Sequence, residues 1–340
     1  MRNSQRLMLA MGELDDALVE ETGIALGYYG GKKRSRARVR RALLLAAVLA
    51  LLLAFGVTAY AANLWGIRTM FHSATVELPE AADTLIETHG EMGEGTGWRA
   101  EVGESLCDAG NILVTITVQS DAYILAPTDA APTDPIWQIG REGEGTLADY
   151  AKTQGKGLLF VGAALSAGAE LGLGRAGQQF AFPSENEMTI LLIASKTASN
   201  PRFEAVCTVY ALADGAQEVE RVEIPLVLTE GESRPVGVFA PLSPHAIQGI
   251  ALGDLSVTAS ALGYDFQWDV LAEDEEAFGA IMKVAFDEID GFFGGGSVSL
   301  GQNRYREQLT MARGEIGDTL TARFFDWDGR EIGSVVFRRK

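Results

Sequence analysis

The chain has 340 residues and a formal net charge of −18, from 28 Lys and Arg against 46 Asp and Glu. A length of this order indicates about two domains. The acidic balance excludes the broad basic surface that nucleic-acid binding needs. Two cysteines are also too few for the disulfide framework of a small secreted domain.

The first segment with helical periodicity lies near residue 10. Four apolar residues recur at intervals of four, three and four and line one face of a short amphipathic helix: Leu7, Met11, Leu14 and Leu18. Such a helix has no core of its own, so its apolar face either binds a partner or belongs to a weakly folded tail. Acidic residues on the polar face disfavour an anionic bilayer, which makes a partner protein the sharper prediction.

A basic cluster follows this helix and consists of Lys32, Lys33, Arg34, Arg36, Arg38, Arg40 and Arg41. Residues 1–41 carry nine Lys and Arg against five Asp and Glu, whereas the remaining residues carry 19 against 41. This contrast places the cluster where it can meet the anionic headgroups of membrane lipid. A DNA-binding interpretation is weaker, because no recognition pattern accompanies the charges.

Residues 42–64 form an apolar run without a formal charge, which we interpret as a transmembrane helix. As a helix it is about 34 Å long, against a hydrocarbon core of about 30 Å. The basic cluster precedes it, so the positive-inside rule predicts a single-pass protein of the cell membrane with a cytoplasmic N-terminus and an extracellular C-terminus. The alternative is a cleavable signal peptide, since Ala59-Tyr60-Ala61 has the small-x-small pattern of a cleavage site.

Beyond residue 65 the apolar pattern changes to the alternation that is typical of strands. The pattern predicts strands around residues 112–118, 188–194, 255–259 and 305–311, and hairpins from 203–211 with 219–228 and from 320–324 with 335–337. One helix is expected over residues 278–289, although Met282, Val284 and Phe286 would also suit a strand. We therefore predict a mainly β protein with two small β-sandwich-like extracellular domains, 65–240 and 241–340.

The chain carries no convincing catalytic motif. The string Gly172-Leu173-Gly174-Arg175-Ala176-Gly177 matches a dinucleotide fingerprint, but it lacks the preceding strand and following helix that phosphate binding needs. Residues 326–331 resemble part of a calcium loop, and a hairpin turn explains them more simply. The three histidines are isolated in sequence. We therefore expect no enzyme activity, no metal and no cofactor.

Both cysteines, Cys107 and Cys207, fall on the predicted extracellular side. An oxidising compartment permits a disulfide between them. A buried free thiol at Cys207 is the other reading, because that residue lies within a strand-like run.

The segment 11–21 (MGELDDALVEE), the basic cluster and the end of the apolar run at 56–63 (GVTAYAAN) resemble a family of Gram-positive single-pass membrane proteins. Members of this family carry an ectodomain of unknown function and are often described as anti-sigma-factor-like. The resemblance covers about the first 65 residues. It implies that the cytoplasmic segment holds a sigma factor and that the external domain senses an unknown ligand. Unlike the zinc-binding anti-sigma type, residues 1–41 contain neither Cys nor His.

The sequence thus favours a membrane-anchored regulatory protein that is anti-sigma-factor-like, with an external binding or sensing domain. The alternative is a secreted or anchored extracellular binding module without a signalling role.

Overall fold

The structure is a computed structural model, and it describes residues 66–71, 78–141, 144–174 and 177–340. The predicted amphipathic helix, the basic cluster and the apolar run 42–64 lie outside the described residues. Within these residues, no helix has the length and apolar character needed to cross a membrane. The residues described all belong to one compact unit, Leu64–Lys340.

Strands dominate the described chain, as expected from its alternating apolar residues. In chain order they are β1 Ile86–Thr88, β2 Met92–Gly95, β3 Trp98–Cys107, β4 Asn111–Gln119, β5 Tyr123–Pro127, β6 Gly157–Ala167, β7 Gly177–Ser184, β8 Glu187–Ser195, β9 Arg202–Ala213, β10 Glu220–Thr229, β11 Arg234–Pro241, β12 Ile250–Ala259, β13 Tyr264–Ala272, β14 Lys283–Phe286, β15 Ile289–Gly301, β16 Arg304–Gly314, β17 Thr319–Phe325 and β18 Glu331–Arg339.

Helices are short and lie in the connections between strands. The α-helices are α1 Ile67–Met70, α2 Leu147–Thr153 and α3 Glu275–Gly279, and the 3-10 helices are Glu80–Leu85, Ile136–Ile139 and Ala169–Leu171. The prediction of a mainly β fold is therefore confirmed.

The first two sheets pack face to face as a sandwich. Sheet A has the order β1-β3-β4-β8-β7 with β2 beside β3, and sheet B has the order β10-β9-β6-β5. Alternate residues of both sheets, such as Val114 and Ile116 of β4 and Val161 and Val209 of sheet B, share one buried core. The strand at residues 188–194 is central in sheet A, as its continuous apolar run predicts.

The eight remaining strands form sheet C, with the order β14-β17-β18-β11-β12-β13-β16-β15. This sheet curls around a core of its own, to which strands from both of its ends contribute. The curl is evident from Phe286 of edge strand β14, which stacks on Phe266 of β13 with ring centroids 4.6 Å apart. Five steps of the strand order separate these two strands, so only a strongly curved sheet brings their rings together.

Both predicted hairpins are present. β9 pairs with β10 across the turn at Asp214-Gly215, and β17 pairs with β18 across Asp328-Gly329. At the second turn the Asp326 carboxylate accepts hydrogen bonds from the backbone N–H groups of Asp328 and Arg330. This is the hairpin turn that we preferred to a calcium loop.

The helix predicted over residues 278–289 is wrong for most of its length. Helix α3 begins after Asp274, whose carboxylate accepts from the N–H of Ala277 at 2.8 Å, and it ends at Gly279. The following residues form β14, because pairing with β17 satisfies their backbone and buries Phe286 among aromatic rings. The long-range pairing of β14 with β17 therefore outweighs the local helical spacing of these residues.

The domain division at residues 240 and 241 stays a prediction. The strand β11, Arg234–Pro241, pairs with β12 and β18 and so belongs to sheet C. Residues up to Thr229 supply the strands of sheets A and B.

Candidate functional site

A cavity of about 710 Å³ opens where the two ends of sheet C come together. Edge strands β14 and β15 are joined by residues 287–288, lie at opposite ends of the strand order, and both contribute residues to the lining of the cavity. The volume falls in the range of about 300–1,000 Å³ that is typical of small-molecule sites. Its wall is mostly apolar and includes Val270, Phe278, Ile281, Phe286, Ile289, Leu309, Met311 and Phe324.

Five polar or charged side chains interrupt this apolar wall: Trp268, Lys283, Asp290, Ser297 and Glu307. Trp268 of β13 and Glu307 of β16 are directly opposite in the antiparallel register, so their side chains lie side by side on one face of the sheet. The buried Trp268 Nε1 and the buried Glu307 Oε1 each lack a hydrogen-bond partner among the described residues. Both atoms are out of reach of water, so they lie within the wall and not on the surface of the cavity.

Burial governs the acidity of Glu307. Removal from water raises its pKa from the ordinary value of 4.5 to about 7, although a hydrogen bond with Ser297 opposes the rise. Ser297 is the residue of β15 that pairs with Glu307. The carboxyl group therefore changes charge near neutral pH.

The opposite face of the same two strands packs against the first sandwich through polar side chains. Side chains alternate along a strand, so Asp265 of β13 and Gln308 and Thr310 of β16 lie on the face opposite to Trp268 and Glu307, toward the turn between β3 and β4. We call these side chains the polar layer, and its members are Asp108, Asn111, Ser260, Asp265, Gln308 and Thr310.

Direct hydrogen bonds cross from the sandwich to sheet C in this layer. Asn111 Nδ2 donates to Thr310 Oγ1 at 2.6 Å, and Ser260 Oγ donates to Asp108 Oδ2 at 2.7 Å. Thr310 Oγ1 in turn donates to Asp265 Oδ1 at 2.5 Å. The layer thus links the two cores by a connected network.

The polar layer contains more acceptors than donors. Asn111 Oδ1, Asp265 Oδ2 and Gln308 Oε1 are buried and have no partner within the described part of the chain. Burial raises the pKa of Asp265 well above its ordinary value, and the nearby Asp108 raises it further. Burial likewise raises the pKa of Asp108. A retained proton on this carboxyl pair supplies a donor that the layer otherwise lacks.

A buried ion pair lies beside the layer. Lys196 Nζ is 2.7 Å from Glu230 Oε2, and it also donates to the carbonyl of Ala109 at 2.9 Å in the β3–β4 turn. The Lys196 side chain is fully buried. This contact holds the turn that carries Asp108 and Asn111.

Cys107 and Cys207, for which the sequence left a disulfide and a buried free thiol both open, are both buried free thiols in the described structure. Cys107 ends β3, and Cys207 lies in the middle of β9. Burial raises the pKa of each thiol to about 12, so neither is a reactive thiolate at neutral pH. The predicted partner-binding residues and the basic cluster lie outside the described residues.

Sequence reasoning missed the cavity, although one signal was present. Tyr305, Glu307, Leu309 and Met311 alternate along β16, and Glu307 is the charged member of an otherwise apolar set. A carboxylate on the buried face of a strand is rare without a partner. Trp268 gave no such signal, because a tryptophan in a strand is ordinary core.

No family model matches the chain, and no curated protein matches it. Two solved structures are similar to it. The crystal structure of the conserved domain protein from Bacillus anthracis has a TM-score of 0.48 at 10% identity and covers 76% of this chain and 84% of that chain. The C-terminal domain of the AgI/II polypeptide BspA of Streptococcus agalactiae has a TM-score of 0.15 at 12% identity, covering 71% and 99%. Neither likeness assigns a function.

The polar layer predicts a strong effect of Gly110→Ala. A Cβ at this position would lie 2.2 Å from Asp265 Oδ1 and 2.3 Å from Gln308 Nε2, so the network would have to move. We expect a loss of about 1–3 kcal/mol in the free energy of unfolding, measured by urea denaturation. The control is Gly279→Ala, where no atom lies within 4 Å. Equal effects of the two variants would contradict the tight packing of the layer.

Glu307 predicts a specific pH dependence of stability. Its folded pKa of about 7 lies above its ordinary value of 4.5, so the folded state favours the protonated acid. The contribution of protonated Glu307 to the free energy of unfolding is complete below pH 4.5 and is lost as the pH rises through about 7. Between pH 5 and pH 8, we expect the free energy of unfolding of Glu307→Gln to fall by roughly 1–3 kcal/mol less than that of the wild type. The measurement is urea denaturation at pH 5, 6, 7 and 8, with the exposed Glu204→Gln as control. Unchanged pH dependence in Glu307→Gln would refute the assignment.

Proposed function

We propose that this chain is a single-pass membrane-anchored regulatory protein, anti-sigma-factor-like, whose external β-rich part binds a small ligand in the cavity of sheet C. The observation that carries the binding role is the cavity of about 710 Å³, whose wall is mostly apolar and includes a few polar side chains such as Glu307. A concave, mostly apolar pocket of this size with a few polar groups is typical of a small-molecule site.

The anchoring and signalling parts of the proposal rest on the sequence. The apolar run 42–64 is long enough to span a bilayer, and its basic flank orients residues 1–41 toward the cytoplasm. The apolar face of Leu7, Met11, Leu14 and Leu18 then lies where it can bind a cytoplasmic sigma factor. In this scheme, occupation of the external cavity changes how firmly that partner is held.

The cytoplasmic interaction is testable with the full-length protein in lipid nanodiscs. Each extracytoplasmic-function sigma factor of the source cell is titrated, and binding is measured by biolayer interferometry. We expect one of them to bind and the double variant Leu14→Asp, Leu18→Asp to weaken it at least about 100-fold, because two anchors of a helix-in-groove contact become charged.

The matched control changes the polar face of the same helix, with Asp16→Asn and Glu20→Gln. This variant is expected to bind within about threefold of the wild type, as exposed charges contribute little. If no sigma factor binds the wild type, or if both double variants lose binding equally, the apolar face is not the contact and the regulatory proposal fails.

The second candidate is a secreted or anchored extracellular binding module without a signalling role. It is favoured by the pattern Ala59-Tyr60-Ala61. Mass spectrometry of the mature protein separates the two. An N-terminus ahead of residue 42 is the result expected for the regulatory protein, whereas a mature chain that begins at Ala62 would remove the cytoplasmic segment and leave the binding module.

A further inference from the structure

Two carboxyl groups of the polar layer have no cation of their own. Asp108 is fully buried and Asp265 is 6% exposed. The positive charge that acts on both is that of Lys196. Its three N–H groups already donate to two backbone carbonyls and to Glu230 Oε2. If both aspartates were ionised, one ammonium group would face three buried carboxylates, which is strongly unfavourable. One aspartate therefore keeps its proton.

The hydrogen bonds of Asp108 match those of an ionised carboxylate. Its Oδ1 accepts from the backbone N–H groups of Gly110 at 3.0 Å and Asn111 at 2.7 Å. Its Oδ2 accepts from Ser260 Oγ at 2.7 Å. Hydrogen bonds of this kind favour the charged form of a carboxyl group. Asp108 is therefore the member of the pair that gives up its proton more readily.

Asp265 is bonded in a way that favours the neutral acid. Its Oδ1 accepts from Thr310 Oγ1 at 2.5 Å and from Gln308 Nε2 at 3.4 Å. Its Oδ2 has no partner within the described part of the chain. The Ser260 hydroxyl is near enough to lower the pKa of Asp265, but its one hydrogen is given to Asp108. A proton on Asp265 Oδ2 removes this competition, because a hydroxyl that donates to Asp108 can still accept.

We propose that Asp265 holds a proton at neutral pH, and that this proton keeps sheet C joined to the sandwich until alkaline conditions remove it. The join consists of the contacts that the polar layer makes between the two cores, such as Asn111 with Thr310 and Ser260 with Asp108. The inference goes beyond the proposed function, since it concerns protons and needs no ligand in the cavity. It makes the described part of the chain a sensor of alkaline pH.

Loss of the proton places a second negative charge beside Asp108 without a new cation. The other titratable groups around the pair do not compensate for this charge. Lys196 stays paired with Glu230, and the pKa of the Cys107 thiol is about 12. Two like charges repel most strongly where water is excluded. Separation of the β3–β4 turn from β13 admits water and relieves this repulsion, at the loss of the hydrogen bonds between them.

The direction of the pH dependence follows from the raised pKa of Asp265. Burial, and then the charge of Asp108, raise this pKa well above its ordinary value of 3.8. The contribution of the proton to the join is complete below pH 3.8 and is lost as the pH rises through the raised pKa. The join is therefore closed in acidic and neutral solution and opens in alkaline solution.

Infrared spectroscopy of the full-length protein locates the proton, because a protonated carboxyl group has a C=O band that a carboxylate lacks. Spectra are recorded from pH 6 to pH 10 in dodecyl maltoside, a detergent without carbonyl groups. Every sample carries Glu307→Gln, since the pKa of Glu307 is about 7. At pH 7 we expect the band of a protonated acid in this parent protein and its loss in Asp265→Asn.

The matched control is Asp269→Asn, on the same strand. The Asp269 carboxylate is partly exposed and lies 2.7 Å from Arg306, so it is ionised and its removal should leave the band in place. A third variant, Asp108→Asn, should lose the band at a pH at least about one unit lower than the parent protein does, because the like charge beside Asp265 is gone.

Hydrogen exchange tests the join. Peptides covering residues 106–113, which contain the β3–β4 turn, are followed by mass spectrometry over the same pH range, with correction for the intrinsic pH dependence of exchange. We expect their exchange to accelerate at least about tenfold at the pH where the acid band disappears. In Asp265→Asn the acceleration should be absent, because asparagine stays neutral. Peptides covering residues 188–194 of the central strand β8 are the internal control and should stay protected.

Each outcome supports or overturns the proposal. A parent protein without the acid band at pH 7 would show that Asp265 is ionised, and a band that survives in Asp265→Asn would place the proton elsewhere. If the band persists to pH 10, or disappears without faster exchange at residues 106–113, or if residues 188–194 lose protection equally, the proton does not control the join. Should Asp265→Asn fail to fold, the parent protein still decides, because its two midpoint pH values must coincide.

Discussion

Strands β13 and β16 are covered on both faces, and this constraint determines where two groups of buried polar side chains lie. On one face, Trp268 and Glu307 enter the cavity of sheet C. On the other, Asp265, Gln308 and Thr310 meet the turn that follows β3. Because side chains alternate along a strand, a shift of one residue in register would exchange the two sets. The register therefore fixes both the site and the join between the two cores.

The same constraint links the cavity to the sandwich. Glu307, which lines the cavity, is followed in β16 by Gln308, which belongs to the polar layer. Two members of that layer, Asn111 and Asp108, come from the turn between β3 and β4. The buried Lys196–Glu230 pair stabilises this turn. In a buried network of this kind the hydrogen bonds strengthen one another, and any polar group left unpaired is costly. Occupation of the cavity thus has a physical route to the part of the fold that precedes sheet C in sequence.

The sequence predicts strands and hairpins well because these depend on local alternation, as in β4 and in the β17–β18 turn at Asp328-Gly329. It predicts the helix at 278–289 wrongly because β14 is stabilised by pairing with β17, which local spacing does not contain. The candidate site was harder to predict from the sequence than these elements. Asp265 and Gln308 have the alternation of a solvated face, and only the packing of one sheet on another turns them into buried groups. Glu307 was detectable as a charge among apolar positions, but its neighbour across the sheet was not.

The central claim is that the cavity of sheet C is a ligand site. A high-resolution crystal structure of the protein as purified tests this most directly. The account predicts an open cavity that holds a bound molecule, or ordered water that such a molecule displaces. A structure in which side chains from β14 and β15 fill the cavity would contradict it.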